Sequence, residues 1–83
     1  MSMNTIWTAK GEPINVRNPK EAPVQVMIQY QVFEKQGREL EAALFLVDAM
    51  VEFKDDMEIV NNMSVDDLAK FLVDWMKAYE DQD

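Results

Sequence analysis

"VQVMIQYQVFEKQG", residues 24–37, decides whether this chain is built on a sheet or on helices. Val24, Val26, Ile28, Tyr30 and Val32 alternate strictly with Gln25, Met27, Gln29 and Gln31, which is the period of a half-buried strand. The same stretch also fits a helix. In that reading Pro23, Val26, Met27, Tyr30 and Phe33 share a face, Pro23 sits at a tolerated first-turn position and Gly37 stops the run. Both periods are satisfied, so the flanking segments have to be read first.

Downstream, "RELEAALFLVDAMVEFK" (38–54) predicts a helix, because leucine, alanine, glutamate and methionine dominate and neither glycine nor proline interrupts it. Leu40, Ala43, Leu44, Val47, Met50 and Val51 form its expected core stripe, with Leu46 and Phe53 beside it. Phe45 projects among Glu41, Asp48 and Glu52. "DDMEIVNNM" (55–63) predicts a short helical turn that packs Met57, Ile59 and Val60 before the Asn61-Asn62 break.

"NMSVDDLAKFLVDWMKAY" (62–79) predicts a second long helix with a legible start. Ser64 is placed to accept from a free N–H of the first turn, and Asp67 to reach back to the Ser64 N–H, as in a capping box. Met63 and Leu68 stand at staple positions, and Asp66 and Asp67 lie at the positive end of the helix dipole. Val65, Leu68, Ala69, Leu72, Met76 and Tyr79 form the expected core stripe, opposite Asp66, Asp67, Lys70, Asp74 and Lys77. Phe71, Trp75 and Ala78 extend it along one flank. So wide an apolar arc predicts two contacts, the second being a neighbouring helix or another chain.

Upstream, "TIWTAKGEPINVRNP" (5–19) predicts a hairpin with Ile6 and Trp7 in one strand, Gly11 and Glu12 in the turn, and Ile14 and Val16 in the other. Pro13 marks the second strand as an edge or as beginning late. "NPKEAP" (18–23) is a connection.

The chain has 83 residues, enough for one domain with a single small core. It contains no cysteine and no histidine, which excludes disulfides, thiolate metal sites, cysteine nucleophiles and histidine acid-base chemistry. No enzyme is expected, and no cofactor or metal. No apolar run approaches the roughly 20 residues of a membrane span, and no basic-then-apolar leader pattern opens the chain. The net charge of −8 is uneven: residues 1–38 carry five basic and three acidic side chains, and 39–83 carry three and thirteen. The helical half is therefore not expected to bind nucleic acid or an anionic membrane. Asp55, Asp56 and Glu58 lack the alternation and the glycine of a calcium loop. Ser64 lacks the Asp-Ser-Leu context of an acyl carrier protein, and with two glycines there is no phosphate loop. Seven methionines at helical spacing read as core.

The order of these features resembles the tail assembly chaperones of long-tailed bacteriophages, particularly those of actinobacteria. It runs from the hairpin through "RNPKEAP", the segment ending at Gly37, "ELEAALFLVDAM" and "FKDDMEIVNNM" to "SVDDLAKFLVDWMKAYED". The resemblance covers most of the chain, and its most specific part is "MSVDDLAKFLVDWMKAY". It favours helix for residues 23–36. The expected fold is then mainly α with a small N-terminal β-hairpin (α+β), a bundle of three to four helices in one domain over 1–83, with 1–19 hairpin and link and 20–83 helical.

The resemblance implies a protein that coats the long helical tape measure protein in the cytoplasm of the bacterial host, keeps it soluble and recruits tail tube subunits. Such families often continue into a polar tail and make a longer frameshifted product, whereas this chain stops at Asp83 and is read as the ordered domain. The alternative is a small acidic phage inhibitor or DNA mimic that acts on a host or defence protein. Because two helices are apolar over more than half their circumference, a homo-oligomer is expected, with Phe45, Phe71 and Trp75 as its protein-interaction residues; the competing account places all three under the hairpin, touching Ile6, Trp7 and Ile14 within one chain.

Overall fold

The computed structural model describes residues 3–80; Met1 and Ser2 of the hairpin segment and the chain end at Asp83 lie outside the described residues. Strand β1 (Met3–Trp7) pairs antiparallel with β2 (Pro13–Arg17), in the register Asn4 to Val16 and Ile6 to Ile14. The connection closes on itself. Thr8 N–H donates to the Glu12 carbonyl at 2.9 Å, Glu12 N–H to Thr8 Oγ1 at 3.0 Å and Gly11 N–H to the Thr8 carbonyl at 2.9 Å. Gly11 holds φ at 81°, in the left-handed region where a side chain is strained. Alternation sends Ile6, Ile14 and Val16 inward and leaves Trp7 exposed. The free edge of β2 is occupied by Val51, which bridges to Val16, and by Glu52, whose N–H donates to the Asn15 carbonyl at 2.9 Å.

Residues 24–35 are helical. After a 3₁₀ turn at Pro19–Glu21, α1 runs from Val24 to Lys35, with the Pro23 carbonyl accepting from the first N–H groups. Gly37, at φ 74°, ends it as expected. Arg38 N–H reaches back to the Phe33 carbonyl at 2.9 Å and Gly37 N–H to the Glu34 carbonyl at 3.0 Å, the two bonds that close a helix through a left-handed glycine. The strand-like alternation survives in another form. Residues two apart lie about 200° apart around a helix, while residues four apart fall on one stripe. Val26 and Tyr30 therefore join Met27 and pack against the core, whereas Val24, Ile28 and Val32 form a stripe on the opposite side.

Helix α2 (Glu39–Met50) packs against α1 and also against β2 and α3 (Met57–Asn61), which follows a 3₁₀ turn at Lys54–Asp56. Its buried residues are Ala42, Ala43, Leu46, Val47 and Met50, continued by Val51. Two members of the expected arc differ: Leu40, in the first turn beside Gly37, and Phe53, beyond the helix, are each about half exposed.

Helix α4 (Val65–Glu80) lies across the hairpin. The Ser64 hydroxyl accepts from Asp67 N–H at 3.1 Å, so the forward half of the capping box forms. Leu68, Phe71, Trp75 and Tyr79 are buried, while Val65, Ala69 and Met76 of the expected stripe are exposed. The helix is thus turned toward its aromatic flank. The cause is visible in the polar ends of two side chains. Trp75 Nε1 donates to the Arg17 carbonyl at 2.8 Å. The Tyr79 hydroxyl donates to the Val16 carbonyl at 2.6 Å and accepts from Asn4 N–H at 2.8 Å. Turned outward, these aromatics would lose their area burial, and the strand ends would lose their partners.

Candidate functional site

The three aromatic residues expected to mediate contacts are not brought together. Phe71 is 1 % exposed and Trp75 is 0 % exposed, both inside the cluster that contains Ile6, Ile14 and Val47. They are core residues of this chain, and their assignment as surface contacts is corrected for the reason just given. Phe45 lies elsewhere, half-buried on α2, with its ring edge-on to Phe33 of α1 at 5.8 Å between centroids. The Arg38 guanidinium covers the same Phe33 ring at 4.9 Å and pairs with Glu41, which raises the Arg38 pKa and lowers that of Glu41 through their hydrogen bond. Phe45 thus joins the α1–α2 hairpin to itself.

The apolar surface that does reach solvent lies on two other stripes. On α1, Val24, Ile28 and Val32 are 74, 54 and 39 % exposed, and none of the residues of this helix is fully buried. On α4, Val65, Ala69, Val73 and Met76 run beside the buried aromatic stripe and are exposed. At 3.6 residues per turn, Asp66, Lys77 and Lys70 follow one edge of this strip and Glu80 continues it at its C-terminal end. The first stripe had a signal in the sequence, the alternating valines, which supply two opposite faces once the segment is helical. The second was hidden by the aromatic flank, which competed for the same core.

An open groove of about 730 Å³ lies between the hairpin turn and the start of α4, lined by Thr8, Lys10, Glu12, Asp55, Glu58 and Asp67 among others. Among the described residues no group of three or more carboxylates, histidines or cysteines is arranged to hold a metal ion. No described helix is long and apolar enough to cross a membrane. Two tyrosines titrate abnormally. Burial, then the neighbouring Glu34, raises the Tyr30 hydroxyl. Burial also raises that of Tyr79, against the Asn4 N–H it accepts from and with a further push from Glu21. Both groups are neutral at physiological pH and have structural roles. Compared with family models, with curated proteins and with solved structures, the chain finds no match.

Proposed function

We propose that this chain is a non-catalytic assembly chaperone of the phage-tail type, which covers apolar helical segments of a tape measure protein in the cytoplasm of the bacterial host and helps recruit tail tube subunits. The observation that carries this reading is the exposed strip Val65, Ala69, Val73 and Met76 along α4. An amphipathic partner helix laid on it meets apolar side chains at helical spacing, while the acidic surroundings keep the covered complex in solution. The resemblance in the order of elements supports the same assignment. The absence of histidine and cysteine removes the commonest catalytic groups and favours binding over chemistry.

Co-expression with a tape measure fragment tests it. The wild-type chain is expected to raise the soluble fraction of the fragment, and Val73→Glu, which alters an exposed position, to abolish the effect while the chain stays folded. Complex formation should persist when salt is raised. An equal solubilisation by Val73→Glu overturns the reading, and a steep loss of binding with salt points instead to an acidic inhibitor that imitates DNA.

A further inference from the structure

We infer that α1 is a lid: it opens from the rest of the chain as a separate unit, hinged at the Ala22–Pro23 link and at Gly37, and bares a helix-sized seat on α2. The inference does not rest on the tape measure reading. Of the four α-helices among the described residues, α1 alone has no fully buried residue. Its hold on the molecule is packing. Val26, Met27 and Tyr30 are half-buried against the core, and Phe33 is held between the Phe45 ring and the Arg38 guanidinium beside the hinge. Among the described residues no side-chain hydrogen bond or ion pair joins α1 to another element. Even the Tyr30 hydroxyl bonds to Glu34 of the same helix. The other elements are tied to one another: Trp75 and Tyr79 bond α4 to the strands, and Arg17 Nη2 donates to the Ala49 carbonyl of α2 at 3.4 Å.

The residues of α1 make the opened state accessible. Val24, Val26, Ile28 and Val32 are β-branched and lose rotamer freedom in a helix. A helix of 12 residues standing alone is marginal in water even with better helix formers, so α1 unravels once it leaves α2. Both ends permit the movement. Gly37, at φ 74°, has no side chain to restrict a change of backbone direction, and Ala22 and Pro23 are extended, outside both the 3₁₀ turn and the helix. Elements with few buried contacts open at a lower free energy than the core. What the opening uncovers is one side of α2. Ala42, Phe45 and Ala49 share that side at helical spacing, and the ring contact of Phe45 with Phe33 marks it as the side that α1 covers. Ala42 is 1 % exposed although it lies outside the main core cluster. Two alanines flanking one phenylalanine leave a shallow seat for a helix, which α1 fills when closed, so α1 controls access to it.

Amide hydrogen exchange of the full chain, read residue by residue under conditions where it reports opening equilibria, tests the lid. In the wild type the slowest amides of α1 are expected to exchange at least about tenfold faster than the slowest of α4, with a smaller dependence on urea. Equal protection of the two helices overturns the inference. Ser64→Ala separates local from global opening. If α1 opens while α4 stays folded, the lost cap lowers the protection of α4 about fivefold and leaves that of α1 unchanged. A drop by the same factor in α1 means that α1 exchanges only when the whole chain unfolds, and overturns the lid. Phe33→Leu acts from the other side. It removes the ring contact with Phe45 and should speed exchange in α1 and α4 by one common factor, because both openings start from the closed state. An α1 whose exchange is unaffected by Phe33→Leu overturns the inference too.

Discussion

Helix α4 buries Leu68, Phe71, Trp75 and Tyr79 against the hairpin, whereas α1 buries no residue completely and carries a valine–isoleucine stripe into solvent. The two helices are comparably rich in apolar residues, so quantity does not separate them. Arrangement does. In α4 the largest side chains repeat every three or four positions and form one sector, which a two-stranded sheet can cover. In α1 apolar residues repeat every two, and a helix divides such a pattern between opposite sides, of which only one can rest on α2. A helix of the first kind holds the fold together, and one of the second kind leaves an apolar face in solvent.

The largest test of this contrast is truncation in α4. Trp75→Ala should cost about 3–5 kcal/mol, through the lost indole volume and the stranded Arg17 carbonyl. In a domain this small that leaves a chain unfolded by circular dichroism at room temperature. If Trp75→Ala melts like the wild type, the division between the two helices is wrong.

Next comes Tyr79→Phe, which leaves the Val16 carbonyl and Asn4 N–H without the hydroxyl that joins them. A loss of about 1–3 kcal/mol is expected from urea titration. The same hydroxyl gives a pH signature. Its pKa in the folded chain lies above the ordinary 10.0, so the folded state holds the proton more tightly than the unfolded one. The resulting stability is complete below about pH 10 and is lost as pH rises through the folded value. The wild-type melting temperature should therefore fall on the alkaline side, and Tyr79→Phe should fall less steeply. Tyr30, raised in the same direction, adds to the alkaline loss in both chains.

Smaller again are the two helix ends. Ser64→Ala removes the acceptor for Asp67 N–H and should cost about 1 kcal/mol. Gly37→Ala forces a side chain into φ 74°, where nothing crowds the new methyl, so its cost is purely conformational, on the order of 1 kcal/mol. The smallest effect belongs to the outer stripe of α1. Ile28→Gln should shift the denaturation midpoint of dilute protein by less than about 0.5 kcal/mol. A loss as large as that of Tyr79→Phe would mean that α1 is held by its outer face as well, and the comparison with α4 would collapse.

Local signals carried much of the fold. Gly11 and Gly37 stand at positive φ where a turn and a helix stop were expected, and Ser64 caps the helix it precedes. These depend on one residue and its immediate backbone, so sequence suffices. The α+β class and the hairpin followed from them. Which apolar residues stay exposed was less legible. Phe45, Phe71 and Trp75 were read as contacts because an exposed and a buried aromatic have the same spacing, and nothing local says which way a wide apolar arc will turn.

What the sequence determined by itself is the turn at Gly11, the stop at Gly37, the cap at Ser64, the absence of histidine and cysteine chemistry and the acidic balance of the chain, all of which follow from residue type and near neighbours. The end of α2 at Met50, four residues short of the expected 54, was set by the bridge of Val51 to Val16. The tertiary structure decided two orientations. Residues 24–33 became a helix where Val51 and Glu52 hold the free edge of β2, leaving no strand partner there for their alternating pattern. Helix α4 turned its aromatics inward because the Trp75 N–H and the Tyr79 hydroxyl meet backbone carbonyls some sixty residues away in the chain, at Arg17 and Val16. Hydrogen bonds between groups so distant in sequence leave no periodic trace along it, and only the folded chain brings them together.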